Sequence, residues 1–357
     1  MYQIGKIMRV LLGEISSYKA IVIARYIYER YPTIELLAYD NKSSVCSIHS
    51  KYVKQCVHIP TTSIDEYVVK LAECVQEKQI DVFIPVHSDY IGHILQRKKM
   101  FGTSLDYLGK YADYIQLHEK DQLMQLARKL SIRVPKEYKS IVDAEVPFVL
   151  KPTNLSSAKG VRYYRKNEDK NTIYSIPKGM ICQEYIRGKG CGYEVYCQNG
   201  KILSEYGHLR LAEWPVSGGS SVLRTGYIHH DMRPIAEKIL HKVQWTGFVM
   251  FEFKLTDDNQ LVLIEANPRI WGSINQALQN DCSLFAAILG DPLKLSYREE
   301  KRTCLMPQVL LSVLLYMCKG NFNVFSDFFR HYKNTYSDVN IWHDPKGVLS
   351  MLIRKIL

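Results

Sequence analysis

The residues with the clearest chemical content lie in Phe248–Ser273, FVMFEFKLTDDNQLVLIEANPRIWGS. Two apolar runs flank TDDNQ, and each carries a single acid, Glu252 or Glu265. The pattern predicts two strands, Phe248–Leu255 and Leu261–Ala266. With Asp258 and Asn259 at the tip of a symmetric hairpin, facing residues have numbers that sum to 517, which sets Glu252 directly across from Glu265. A different loop type would shift that register. Like charges directly opposite one another destabilise a sheet. A divalent cation is the natural offset, because Mg²⁺ is held by one or two carboxylates plus substrate phosphates. The two-residue period of a strand also puts Glu265, Asn267 and Arg269 on one face. A carboxylate, an amide and a guanidinium together suit a metal-bound phosphate, with the arginine stabilising charge on a transferring phosphoryl group. The competing reading is an exposed sheet face with ordinary salt bridges.

Other residues carry weaker signals. Lys151 ends the apolar run PFVL and precedes Pro152, a position from which a lysine can hold a phosphate; alone, such a lysine is more often a surface residue. Behind it, Asn154–Val161 (NLSSAKGV) is small and polar, and its backbone N–H groups could cover phosphates. PVHSD, Pro85–Asp89, follows an apolar run at the end of a parallel strand, where open α/β sheets bind ligands, so His87 and Asp89 are candidate substrate contacts. His229–His230 reads as a solvated turn, and Cys182 and Cys197 as core residues.

The elements that must position these groups fall into two patterns. Strand signals at Met8–Leu12, Ile34–Tyr39, Val57–Ile59 and Asp81–Val86 alternate with helical signals at Ala20–Tyr31 and Ile64–Glu77, the latter with Ser63 as N-cap. That alternation predicts βαβ units and a parallel sheet. Gly13 and Asp40 raise a dinucleotide site, but GEISSY lacks the GxGxxG spacing, which argues against NAD. A helix is expected over His118–Leu130. Beyond it, strands at Phe148–Lys151, Gly160–Tyr164 and Gly179–Tyr185 precede a hairpin in which Gly192–Cys197 and Lys201–Tyr206 pair around Asn199–Gly200. Helices are expected at Met232–Gln244, Ile274–Leu289 and Gln308–Cys318, and an amphipathic one at Gly347–Leu357 that docks on the body or on a partner subunit.

Composition sets the outer bounds. The 357 residues are 46% hydrophobic and 23% charged, ordinary values for a folded protein of two or three domains. A formal charge of +11 favours anionic partners without choosing among them. The nine cysteines include no CxxC pair, so a zinc knuckle is not expected, and reduced thiols in a cytoplasm fit best. The start shows no apolar stretch of signal-peptide type before Glu14, and the apolar run Val309–Cys318 is too short to span a bilayer. The 25 tyrosines are dispersed, without a basic helix or an aromatic RNA-binding run, so nucleic acid is not expected as a partner.

In the order Lys120, Lys151, small-residue loop, Gln183–Ile186 (QEYI), Glu252 and Glu265–Ser273 (EANPRIWGS), the chain resembles the ATP-grasp superfamily over roughly residues 8–290. It is most similar to the carboxylate–amine ligase branch related to carbamoyl phosphate synthetase and biotin carboxylase domains. The resemblance implies an α/β N-terminal domain with a Rossmann-like parallel sheet (1–104), then α+β ATP-grasp domains (105–290) with a small lid subdomain at about 136–187. Residues 291–357 are left as a C-terminal helical extension. It implies ATP and Mg²⁺ as cofactors, with Mn²⁺ as an alternative ion. Lys120 and Lys151 match the nucleotide-binding lysines, and Ser156–Val161, with Ser156, Ser157, Lys159 and Gly160, matches the loop over the phosphates. Gln183, Glu184, Tyr185 and Ile186 match the segment that reads adenine, and Glu194 an acid near the ribose. Glu252 and Glu265 match the metal ligands, assisted by Asn267, and Arg269 matches the arginine that stabilises an acyl phosphate. His208–Val222 resembles the branch's arginine-containing loop, which makes Arg210, Ser217, Gly218, Gly219 and Ser220 substrate or phosphate contacts. The phosphate loop departs from the pattern in having serines and Ala158 where many relatives have glycines, and Gly226–Asp231 departs from the usual acidic continuation.

The implied activity is ATP-dependent joining of a small carboxylate to an amine through an acyl phosphate, with release of ADP and phosphate, in a cytoplasmic protein compatible with homo-oligomerisation. Two other readings stay open: a small-molecule kinase or carboxylate–thiol ligase on the same fold, and a non-catalytic nucleotide- or nucleic-acid-binding protein.

Overall fold

A computed structural model of the protein describes residues 7–61, 63–154, 160–216, 218–292 and 301–356. The first sheet is built from β1 (Arg9–Leu12), β2 (Glu35–Asp40), β3 (Gln55–His58) and β4 (Val82–Ile84), all parallel, in the order β3-β2-β1-β4. β1 and β4 are almost wholly buried, as near-continuous apolar runs covered on both faces must be. The helix Ile64–Glu77 starts where expected. Ser63 Oγ accepts the Glu66 N–H at 3.2 Å, and Asp65 and Glu66 sit in the first turn, where the exposed N–H groups favour negative charge.

A second sheet is small and antiparallel: β5 (Glu137–Tyr138), β6 (Phe148–Pro152), β7 (Arg162–Tyr164) and β8 (Met180–Glu184), in the order β5-β8-β6-β7. It has its own apolar cluster around Phe148, Leu150 and Cys182. The third sheet has seven strands, β9 (Lys189–Gln198), β10 (Lys201–Trp214), β11 (Ser220–Gly226), β12 (Gly247–Leu255), β13 (Leu261–Asn267), β14 (Arg302–Cys304) and β15 (Thr335–Ser337). Their order is β13-β12-β9-β10-β11-β14-β15, which leaves the hairpin strand β13 at one edge. Along β9, Cys191, Tyr193, Val195 and Cys197 enter one apolar cluster while Tyr196 enters another on the opposite face. Both clusters also take residues from the first sheet, Leu11 and Phe83 in one and Val10 and Ile84 in the other.

The helix expected over His118–Leu130 forms as Lys120–Lys129, and Glu119, in an extended conformation, separates it from a preceding helix, Tyr111–His118. The break lets the Lys120 N–H donate to the Thr153 carbonyl at 3.0 Å, which ties the start of the second helix to the chain just past Lys151. The helix expected over Ile274–Leu289 is two short ones, Ile274–Gln279 and Ala286–Leu289. Between them Asp281 takes a left-handed φ of 60° and the Asn280 amide bonds the Gln276 carbonyl. The tail is not helical throughout. β14 (Arg302–Cys304) and β15 (Thr335–Ser337) extend the large sheet beyond β11 (Ser220–Gly226). Three-residue strands carry no readable period. Buried polar bonds hold them: Arg224 donates to Thr303 Oγ1 at 2.8 Å and pairs with Asp338, which also accepts from Asn275 at 2.9 Å.

The last helix, Pro345–Ile356, folds back on the first sheet. Arg354 pairs with the fully buried Glu14 and with Asp40, and donates to Ser16 Oγ at 2.8 Å. Among the described residues no helix is long and apolar enough to cross a membrane.

Candidate active site

The acid pair faces as the sequence suggests, but by a different route. At the tip Leu255 pairs with Leu261, so the hairpin turns around a single residue and not between two. The Thr256 N–H donates to the Gln260 carbonyl at 3.0 Å, and Asn259 takes a φ of 58°. That register alone would miss the pairing by one residue. An irregularity between Glu252 and Phe253 inserts Ile264 as an extra residue on β13, and beyond it Glu252 pairs with Glu265, Phe251 with Ala266 and Met250 with Asn267. The bulge has a further effect. It leaves the Ile264 carbonyl to accept Lys151 Nζ at 3.4 Å and turns both Ile264 and Glu265 toward the same cavity.

The two carboxylates are the centre of a charged network. Asn267 Nδ2 donates to Glu252 Oε1 at 3.2 Å and to Glu265 Oε1 at 3.1 Å, and its Oδ1 accepts from Arg269 Nη2 at 2.7 Å. Lys120 Nζ lies 3.3 Å from Glu265, and Arg210 pairs with Glu252 and, at 3.5 Å, with Glu213. Burial and the two lysines act oppositely on Glu265: burial raises its carboxyl, but Lys120 and Lys151 outweigh that and hold it at about 2. Glu252 goes up, because burial and the Glu265 charge outweigh Arg210. Burial also lowers the Lys151 ammonium to about 8, with Lys120 adding to the fall and Glu265 opposing it.

These residues line a cavity of about 560 Å³ with walls from all three sheets. The large sheet supplies Arg210, Glu213, Glu252, Glu265, Asn267 and the following Arg269. The small sheet and its neighbours supply Lys120, Lys151, Tyr163, Arg165 and Gln183–Ile186, and Gly218, Gly219, Ser220 and Ser221 close one side. Gln183 is buried, and neither polar atom of its amide has a hydrogen-bond partner among the described residues, as expected of a group that completes its hydrogen bonds with a ligand. Gly219 is required by space, since a Cβ there would lie 2.1 Å from the Trp214 backbone. The set fits a nucleotide and a divalent ion: two carboxylates bridged by an amide for the cation, two lysines for phosphates, and an unsatisfied amide in the segment that would face a base.

The structure does not bring every expected residue to the cavity. Glu194 is fully buried beneath the wall, where it accepts from Ser273 Oγ at 2.8 Å and lies 3.0 Å from His208 Nδ1. It holds Ser273 and does not itself line the cavity. Gly160 adjoins the wall residue Val161 without lining the cavity, and Asp89 is outside it, whereas His87 is in it. Ser156, Ser157, Lys159 and Ser217 lie outside the described residues.

Ser17, Tyr18, Lys19 and Ser88 line the cavity and were not anticipated. The available signal was their place at the C-terminal ends of β1 and β4, the same rule that singled out His87. Lys19 Nζ donates to the Val86 carbonyl at 2.8 Å and lies 3.5 Å from the Ile270 carbonyl, which also accepts Arg269 Nη1 at 3.1 Å. Burial, reinforced by Arg269, lowers the Lys19 ammonium to about 7. Arg269 Nε is buried without a hydrogen-bond partner among the described residues. Two neighbouring cations whose hydrogen bonds, among the described residues, go to neutral groups make this end of the cavity suited to an anion.

Residues 117–273 match the ATP-grasp domain family. A D-alanine–D-alanine ligase from Fusobacterium nucleatum is 25% identical over 162 residues, a match that covers 42% of this chain and 55% of that ligase. The chain therefore spans only about half the length of that relative. Among solved structures, the biotin carboxylase domain of Hydrogenobacter thermophilus 2-oxoglutarate carboxylase, in complex with MgADP and bicarbonate, is similar with a TM-score of 0.62 at 14% identity, covering 82% of this chain and 73% of that one. N5-carboxyaminoimidazole synthetase from Staphylococcus aureus has a TM-score of 0.61 at 13% identity, covering 83% and 80%. The L-amino acid ligase from Bacillus licheniformis has a TM-score of 0.57 at 14% identity, covering 83% and 78%. At these identities the structural likeness speaks for the fold. The family match is thus confined to residues 117–273, and the likeness of fold extends over most of the chain.

Proposed function

We propose that the protein is an ATP-dependent ligase that activates a small-molecule carboxylate as an acyl phosphate and joins it to an amine. The observation that carries this reading is the convergence of Glu252, Glu265 and Asn267 with Lys120, Lys151 and Arg269 in one cavity. ATP with Mg²⁺ or Mn²⁺ supplies the phosphoryl group and the charge that offsets the facing acids. Glu252 and Glu265 hold the ion, and Arg210 must then give up part of its contact with Glu252. Lys120 and Lys151 bind phosphate oxygens, and the Gln183–Ile186 segment receives the base. The N-terminal sheet serves as the Rossmann-like domain of the pair, the strands around 136–187 as a lid, and the protein works in the cytoplasm.

Arg269 and Lys19, which share the Ile270 carbonyl, hold the substrate carboxylate. Keeping the acid there turns a bimolecular encounter into a positioned one, and the fixed guanidinium stabilises charge on the phosphoryl oxygens as they transfer. Closure over the bound substrates would exclude water, which would otherwise hydrolyse the acyl phosphate before the amine attacks. Relatives named as D-alanine–D-alanine and L-amino acid ligases support an acid and amine of amino-acid size.

The test is ADP release by purified protein with Mg²⁺ and a mixed pool of carboxylic acids and amines, beside Glu265→Gln and Arg269→Ala. Pool-dependent release that both variants abolish is the expected result. Release without an amine, with a phosphorylated acid as stable product, would replace the ligase by a kinase. ATP that fails to bind would overturn the reading altogether.

A further inference from the structure

We propose that Cys46 and Cys56 are a redox-active dithiol that closes to an intramolecular disulfide by exchange with a low-molecular-weight disulfide of the glutathione class. Cys46 lies in the short helix Ser43–Ser47 and Cys56 on β3, opposite Ala38 of β2. Their sulfurs are 2.8 Å apart, under ~1 Å longer than the covalent bond of about 2.05 Å, so closure needs little backbone movement. Both are only partly buried. Six of the other seven cysteines are buried, and the exposed Cys318 is far along the chain in another helix. The ten-residue spacing is not a recognised redox motif, so only the fold reveals the pair.

The chemistry has a direction. The hydrogen bond from the Cys56 thiol lowers Cys46, which makes it the attacking thiolate, while the same bond and burial raise Cys56. Cys46 attacks one sulfur of the small disulfide and releases one thiol. Cys56 then gives up its proton, attacks the Cys46 sulfur of the mixed disulfide and releases the second. Two protein thiols are oxidised by two electrons, and the small disulfide is reduced to two thiols. The bond would pin the segment that carries the C-terminal helix, since Lys42 donates to Asp40 at 3.2 Å and reaches the Arg354 carbonyl at 3.4 Å.

The full chain is reduced, desalted and incubated with glutathione disulfide, then its intact mass and its alkylatable thiols are mapped. We expect an intact mass with one glutathione added, at Cys318, and two further hydrogens lost, with labelling lost at Cys46 and Cys56 together, all reversed by dithiothreitol. Cys46→Ser and Cys56→Ser should each leave a glutathione adduct on the remaining partner instead. Cys318 is the internal control and should take up glutathione in every protein. Glutathionylated Cys318 beside a Cys46 and Cys56 that both stay alkylatable, or that carry separate adducts, overturns the proposal. The wild-type map decides even if a serine variant fails to fold, and the result is independent of ligase activity.

Discussion

Glu265→Gln removes one charge at nearly constant shape and separates two ideas about the acid pair. In the folded protein the Glu265 carboxyl is held at about 2, against an ordinary value of 4.5, because Lys120 and Lys151 outweigh burial. A gap of about 2.5 units at roughly 1.4 kcal/mol each amounts to about 3.5 kcal/mol. The side chain is 18% exposed to the cavity, and screening there brings the expected loss to about 2 kcal/mol. Because the folded value lies below the unfolded one, this stabilisation is complete above pH 4.5 and disappears as pH falls through about 2. Denaturant unfolding without metal should therefore show the variant less stable at neutral pH, with the difference narrowing below pH 4.5. Thermal shift supplies the second readout: MgADP should stabilise the wild type strongly and the variant little. A variant as stable as the wild type at neutral pH without metal would mean that repulsion from Glu252 dominates over the two lysines. An unchanged MgADP shift would remove Glu265 from the set of metal ligands.

Arg269→Ala should keep the MgADP thermal shift and lose turnover by about 100-fold or more, the usual cost of removing a donor to developing charge, measured as ADP release. Lys19→Met should raise KM for the acid without changing KM for ATP. With the free ammonium at about 7, acid kcat/KM should fall as pH rises through that value, and Lys19→Arg should flatten this limb of the profile. Arg354→Ala leaves the fully buried Glu14 and Asp40 without their cation and should cost about 3–5 kcal/mol in unfolding experiments. Removing residues 347–357 should do the same, and unchanged stability and activity in that truncation would show that the helix is not docked in solution.

The parts of the site legible in the sequence are those set by a short repeat. A strand alternates every second residue, so Glu265, Asn267 and Arg269 share a face whatever lies around them, and the Asn267 amide does bond both Glu265 and Arg269. The helix Ile64–Glu77 and its Ser63 cap are equally local. The facing of Glu252 and Glu265 was anticipated, yet from a symmetric tip that does not exist; a bulge restores the register, and bulges depend on what packs against the strand. Glu194 shows the opposite failure. Position along the chain placed it near the nucleotide, but β9 turns it toward Ser273 and His208 beneath the wall.

By itself, then, the sequence determined the chemistry of the hairpin, the strand–helix alternation of the first sheet and the resemblance that joins them, because each rests on residues close in the chain. Tertiary structure alone decided that Arg210 meets Glu252 across 42 positions, that Lys151 reaches the Ile264 carbonyl across 113, and that Arg354 returns to Ser16 across 338. It also brought Lys19 beside Arg269 and Cys46 beside Cys56. Such contacts follow from how amphipathic faces stack into shared cores, and no local periodicity encodes which distant faces will meet.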